Sequence, residues 1–249
     1  MMKLKLHLTI AVVAVALLQG CLTTDATPES TTTKELPAVF EKFTDNVNVY
    51  VDGIFIVIET DNIPNHGSPY FNATDPRYEE YNGTNANFQL NPNKIAVQSI
   101  TLRIPYEPVE STNHPATPLG PIGISLNGVV FYNQYAGPNN QPLTSEIDSF
   151  DQYLGHPQQV GQYHYHQEPT FLTTTLGNNV LLGWLLDGFP VYGPYENGVP
   201  VTASFLDDYH GHNHATADYP LGTYHYHITA EDPYINGSGF FGVPGTVSQ

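Results

Sequence analysis

Sulfur is almost missing from this chain. Its 249 residues include one cysteine, Cys21, and two methionines, Met1 and Met2. No disulfide can form within the chain. With a signal that carries off both methionines and a lipid on the cysteine, as read below, copper sites that rely on thiolate or thioether donors are excluded, and a metal centre here is expected to be built from nitrogen and oxygen. Basic residues are also scarce, with seven Lys and Arg against 24 Asp and Glu and a net charge of −17. That balance argues against nucleic acid as a partner and against a polybasic contact with lipid headgroups. It suits a protein that draws cations towards itself. The chain also lacks a Gly-x-Ser-x-Gly elbow, a P-loop and a His-Glu-x-x-His helix, which removes the common hydrolase and nucleotide-binding readings.

Long apolar runs are absent as well. The run from Leu8 to Leu18 follows Lys3 and Lys5 and ends at Leu18-Gln19-Gly20-Cys21. It is too short to cross a bilayer and has the layout of a signal peptide. A small residue directly before cysteine predicts a lipoprotein signal over residues 1–20 and lipidation of Cys21. Loss of the signal would leave five basic residues against 24 acidic ones, a net charge of −19. Residues 21–37 are Thr-rich and polar and read as a flexible tether. Residues 38–249 then form the folded domain. The expected location is extracytoplasmic, on a bacterial membrane, with the lipid anchor as the only membrane contact.

What the sequence does have is turns and strands. Val47, Val49 and Val51 alternate before Asp52-Gly53, and a β-branched run follows to Ile58, a hairpin pattern. Ile100, Leu102 and Ile104 mark another strand. With 21 Gly and 21 Pro and no sustained 3.6-residue period, helix is expected to be minor. An internal duplication organises the rest. PIGISLNGVVFYNQY (121–135) aligns with LLGWLLDGFPVYGPY (181–195) at an offset of 60. Gly155-His156 aligns with Gly211-His212, and GQYHYH (161–166) with GTYHYH (222–227). The pseudo-repeats span about 117–168 and 178–229 and are expected to pack about a pseudo-twofold. The fold class this predicts is mainly β, an internally duplicated sandwich or barrel-like domain with long ordered loops.

On a strand, side chains alternate between faces, so His164 and His166 share one face while Tyr163 and Tyr165 share the other. His225 and His227 repeat the arrangement against Tyr224 and Tyr226. Paired imidazoles at this spacing suit a metal ion, and neutral imidazole is the ligating form. If the two strands lie beside the twofold, all four imidazoles meet at one ion. His156 and His212 join them as ligands or loop anchors, and His66 is a further candidate from a distant stretch. An ordinary cross-strand Tyr/His packing ladder is the alternative. His210 and His214 read as a solvent-facing cluster and His114 as a surface residue. Glu168 continues the histidine face and is the one candidate general base. Asp187 is read as a turn former in Asp-Gly. Cu(II) and Zn(II) both suit an imidazole-rich site.

The chain resembles the YHYH domain family from about residue 54 to 242. The likeness is carried by NIPNH (62–66), TPLGPIGISLNGVVFYN (117–133), GHP with GQYHYH, DGFPVYGPY (187–195), and GTYHYH followed by PYINGSGFFG (233–242). The resemblance implies an extracytoplasmic protein with metal-binding histidines, and it carries no settled reaction. Members often have cysteines near the Gly-His segments. Phe150 and Tyr209 stand there in this chain, so stapling is not needed. Three functions remain: metal sequestration or delivery, a metalloenzyme with an open coordination position, or a glycan- or surface-binding module that uses no metal.

Overall fold

The computed structural model describes residues 34–249. The expected signal peptide, most of the tether, and Cys21 lie outside the described residues. Strands β1 (Val47–Asp52), β2 (Phe55–Thr60) and β3 (Ile100–Pro105) form an antiparallel meander. In β3 the apolar residues Ile100, Leu102 and Ile104 are buried and the residues between them half-buried, as the sequence alternation predicts.

The first repeat then runs β4 (Gly123–Ser125), β5 (Val130–Phe131), hairpin β6 (Tyr135–Ala136) and β7 (Gln141–Pro142), β8 (Gly155–Pro157) and β9 (Tyr163–Tyr165). A single short helix, α1 (Thr170–Leu176), leads to the second repeat. There β10 (Leu181–Leu185), β11 (Pro190–Tyr192), hairpin β12 (Tyr195–Glu196) and β13 (Val199–Pro200), β14 (Gly211–His214) and β15 (Thr223–His227) follow in the same order. Strand β16 (Thr246–Ser248) returns to pair with β3.

Two sheets carry the fold. One is four-stranded, in the order β1-β2-β3-β16, and the other eight-stranded, in the order β14-β15-β11-β10-β4-β5-β9-β8. The second order is a palindrome of repeat units, and its centre is the antiparallel β4–β10 pair. There Gly183 faces Ser125, Trp184 faces Ile124 and Leu185 faces Gly123. At the offset of 60 Ile124 pairs with its own counterpart, Trp184, while Gly123 and Ser125 each pair with the other's counterpart, so a pseudo-twofold passes between Ile124 and Trp184. The predicted duplication is therefore edge to edge, in an open sheet. Buried residues of both sheets, among them Ile58, Leu102, Ile124 and Trp184, belong to one hydrophobic core. Phe40 and Phe43 cover Trp184, with Phe40 stacked at 4.2 Å.

The expectation that the YHYH strands flank the twofold does not hold. β9 and β15 each lie third from the centre, five strand spacings apart, or roughly 24 Å along the sheet at about 4.8 Å per spacing. The imidazoles of the two strands cannot share one ion.

Close approach at the centre depends on glycine. A Cβ on Gly183 would sit 2.0 Å from the Ile124 carbonyl oxygen, and one on Gly123 would sit 2.5 Å from that of Trp184. Backbone on both sides leaves nothing to rotate away. Gly183→Ala should therefore lower unfolding free energy by about 3 kcal/mol or more, read as a fall in urea midpoint.

Candidate metal centres

Each YHYH strand is fixed from both faces. On the tyrosine face, the Tyr163 hydroxyl donates to Asp151 at 2.9 Å, and the Tyr224 hydroxyl donates to Asp207 at 2.9 Å. Tyr226 donates to Asp187 at 2.5 Å, and the Tyr165 hydroxyl takes the Asn127 amide at 3.2 Å. Asp187 and Asn127 occupy equivalent turns, so Asp187 is both the expected turn former, capping the Phe189 N–H, and a buried partner of the strand. Tyr163 and Tyr224 lie over the glycines of the two Gly-His segments, where a Cβ would approach their hydroxyls to 2.4 Å. That is why each histidine follows a glycine.

On the other face the histidines converge in two separate groups. The first comprises His156, His164, His166 and Glu146, and the second His212, His225, His227 and Glu196, with one ligand atom from each member within 4.8 Å of the others. Antiparallel pairing sets His156 opposite His164 and His212 opposite His225. In the first group, His164 Nε2 lies 3.0 Å from His156 Nε2 and 3.1 Å from His166 Nε2. In the second, His212 Nε2 and His225 Nε2 are 3.1 Å apart. Metal–nitrogen bonds of about 2.05 Å would set two ligand nitrogens about 2.9 Å apart at a right angle and about 3.3 Å apart at the tetrahedral angle. The observed separations fall between these values.

The tautomers follow from the other ring nitrogens. Nδ1 of His164 faces the Gln162 carbonyl (3.1 Å), Nδ1 of His166 that of Asn133 (2.5 Å), Nδ1 of His225 that of Thr223 (3.1 Å) and Nδ1 of His227 that of Gly193 (2.8 Å). His212 Nδ1 faces the Phe205 carbonyl at 3.3 Å. A carbonyl only accepts, so each Nδ1 must carry the proton. His156 Nδ1 meets Ser149 Oγ at 2.7 Å, and that hydroxyl already donates to the Glu146 carbonyl, so His156 donates too. All six Nε2 atoms therefore point bare lone pairs inward. His227 Nε2 is buried with no hydrogen-bond partner. Lone pairs packed this closely repel one another unless a cation sits among them, and acceptors bonded to the far ring nitrogen are what orient imidazoles in metal sites.

Burial keeps five of these rings neutral. It lowers the basicity of His156 to about 3, of His166, His225 and His227 to about 4, and of His164 well below the ordinary imidazole range. Burial also raises Glu146, which has no cation beside it. Around Glu196 the adjacent His214 and His212 outweigh burial and lower it.

Other expected site residues lie elsewhere. His66 is on the tyrosine face, with Nε2 2.9 Å from the Tyr165 hydroxyl and Nδ1 against the Gly67 carbonyl. With both nitrogens engaged and the strand between it and the centre, His66 belongs to neither group. Glu168 accepts from Thr173 Oγ1 at 2.5 Å at the start of α1, because the strand ends at Tyr165 and the chain turns away. It belongs to neither group. His210 is buried, bonded to Thr229 Oγ1 at 2.8 Å, rather than solvent-facing. His214 is half-exposed and bonded to Glu196 at 2.6 Å. His114 is half-buried and stacks on Tyr209 at 4.2 Å.

Sequence reasoning missed both glutamates, since Glu146 and Glu196 occupy different positions in their repeats. It also stopped short on the Gly-His motif. The full repeat is Asp-x-Tyr-x-Gly-His, DQYLGH (151–156) and DDYHGH (207–212), and its aspartates anchor Tyr163 and Tyr224. Extending the Gly-His alignment five residues upstream at the same offset would have found it.

Residues 101–204 match the family model described as YHYH protein, in line with the resemblance read from the sequence. The matched stretch contains the whole first centre and, of the second, only Glu196. No curated protein and no solved structure matches.

Protonation sets a test of this burial. An imidazole with lowered basicity in the folded state contributes nothing above pH 6.5, and costs stability as pH falls through the unfolded value towards about 4. His66 and His210 are lowered to about 4 as well, again by burial. Burial raises Asp151 and Asp187 to about 6, so their contribution has the opposite sign, present at low pH and lost as pH rises through 6. Glu146, also raised by burial, adds to the same sign, and seven imidazoles outweigh three carboxyls. The metal-free protein should therefore lose several kcal/mol between pH 6.5 and 4, at about 1.4 kcal/mol per pH unit per group. A urea midpoint that stays constant from pH 7 to 5 would show that the rings are solvated.

Proposed function

We propose that the protein binds two transition-metal ions, one in each half, through His156, His164, His166 and Glu146, and through His212, His225, His227 and Glu196. The observation that carries this reading is the set of six Nε2 lone pairs held in place by Nδ1–H donation. Three imidazoles and one carboxylate suit Zn(II) or Cu(II), and the lack of sulfur leaves no softer donor to compete. The acidic chain draws cations towards these sites. In this reading the protein is exported, tethered through lipidated Cys21, and holds ions for sequestration or handover.

The histidines would bind, and the carbonyls behind them would orient them. A bound ion would also stabilise the fold, by about 2.7 kcal/mol per site at a hundredfold excess over Kd. A specific observation favours a second reading for one of the centres. The first centre opens into a cleft of about 700 Å3 lined by its three histidines and Glu146, which is room for a molecule to meet an ion with a free coordination position.

Elemental analysis of tag-free protein should return two ions per chain. His164→Ala with His166→Ala should leave one, His225→Ala with His227→Ala should leave one, and the fourfold variant none. One ion in native protein, abolished by either pair, would contradict two separate sites, and no ion in native protein would sink the metal reading. For the anchor, Cys21→Ala should move the protein from the membrane fraction to the soluble one, and continued membrane association would rule out lipidation as the tether.

A further inference from the structure

The two centres have like ligands but unlike surroundings. At the second, Glu196 is held from behind by His214, which β14 delivers two residues after His212. The matching residue after His156 is Gln158. It turns to the Tyr132 hydroxyl at 3.1 Å and to Gln162 Oε1 at 2.9 Å. Among the described residues no side chain hydrogen-bonds the Glu146 carboxylate, whose nearest ion-pair contact is His156 Nε2 at 3.4 Å. The first carboxylate is therefore free to move, and the second is pinned.

The spaces differ in the same sense. Openings of about 290 and 310 Å3 adjoin the second centre, and the larger is lined by the Lys42–Asp218 ion pair. The first centre forms part of the wall of the 700 Å3 cleft, a size that takes a small organic ligand.

The lining of that cleft selects for chemistry. Beyond the centre it is built from Asn91, Asn93, Tyr132, Tyr135, Gln158 and Gln159. Among the described residues no Lys or Arg lines it, and Glu146 is its only acidic side chain. A divalent ion paired with Glu146 would leave one net positive charge, set against a chain of −17. A multiply charged anion would find little to hold it, because a buried charge needs a partner. Amides and phenols, by contrast, both donate and accept, which matches neutral hydroxyl groups. Tyr135 is half-buried on the rim, and its hydroxyl has no hydrogen-bond partner among the described residues.

We infer that the cleft beside the first centre binds an uncharged polyhydroxyl ligand, a neutral saccharide, while the second centre only holds its ion. The inference rests on the two-ion reading above for the presence of an ion in the cleft wall. Its hydrogen-bonding argument does not need that ion, so the two can fail separately.

The test is a glycan array carrying neutral and acidic oligosaccharides, probed with the full-length, tag-free protein and followed by solution titration of the strongest hit. Ion content is measured on the same sample. Neutral glycans should bind. Tyr135→Phe and Gln158→Ala should each weaken the hit by about tenfold, the worth of one or two lost hydrogen bonds. Val199→Ser, beside the second centre, should leave affinity within twofold. Tyr135→Phe keeps the ring on a rim hairpin, and near-UV circular dichroism reports whether each variant is folded. Preference for acidic glycans would overturn the inference. So would no neutral glycan bound by protein carrying two ions, or unchanged affinity in both cleft variants. Neutral glycan bound by protein lacking ions, and weakened by Tyr135→Phe, would uphold the cleft and overturn the two-ion reading alone.

Discussion

Six hydrogen bonds from histidine Nδ1 decide what this molecule can do. Five of them go to main-chain carbonyls, of Gln162, Asn133, Thr223, Gly193 and Phe205. The acceptor positions are thereby set by the backbone path and not by side-chain identity. Asn133 and Gly193 are equivalent residues just beyond β5 and β11, the strands that pair in parallel with β9 and β15. A shift of one residue in either parallel pairing would bring an N–H to the ring in place of a carbonyl, and would turn its Nε2 into a donor. Strand register and ligand tautomer are thus one constraint.

The rest of the fold defends that register. The parallel β5–β9 contact covers only two residue pairs. Buried Asn62 bridges it, giving its amide N–H to the Tyr163 carbonyl at 2.7 Å and accepting the Val130 N–H at 3.0 Å. On the far face, four tyrosine hydroxyls end on Asp151, Asn127, Asp207 and Asp187. A one-residue slip would exchange the tyrosine and histidine faces and strand every one of these groups without partners. The tetrapeptide alternates because each of its faces is separately specified.

Much of the architecture was legible in the sequence. The β1–β2 hairpin, the alternation in β3 and the order of elements in the two repeats follow from short-range patterns, and those are local. So was the grouping of His156 with His164 and His166, since Gly-His and YHYH recur in the same order. The wrong step was spatial. A duplication implies a twofold but does not say which strand lies beside it, and here β4 and β10 occupy the centre, with Ile124 and Trp184 fully buried. His66 misled for a similar reason. It reaches a YHYH strand from the opposite side, and sequence proximity cannot tell the two faces of a sheet apart. The glutamates were invisible because their positions do not repeat.

That failure to repeat has a structural cause. In the second half, β12 and β13 are joined by Asn197-Gly198, both with positive φ, a tight two-residue turn that keeps Glu196 against the sheet. In the first half the corresponding hairpin has a longer loop, residues 137–140, and the position matching Glu196 is Ala136. The carboxylate is supplied instead by Glu146, ten residues further along, beside the 310-helical turn at Ile147–Ser149. The ligand set constrains where an oxygen must arrive, not which residue brings it, so the acid can move while the imidazoles stay. On the first hairpin alanine stands where the second has glutamate, and Tyr135 and Gly137 beside that alanine line the cleft. The longer loop and the replacement of His214 by Gln158 at the matching position together set the first carboxylate apart from the second.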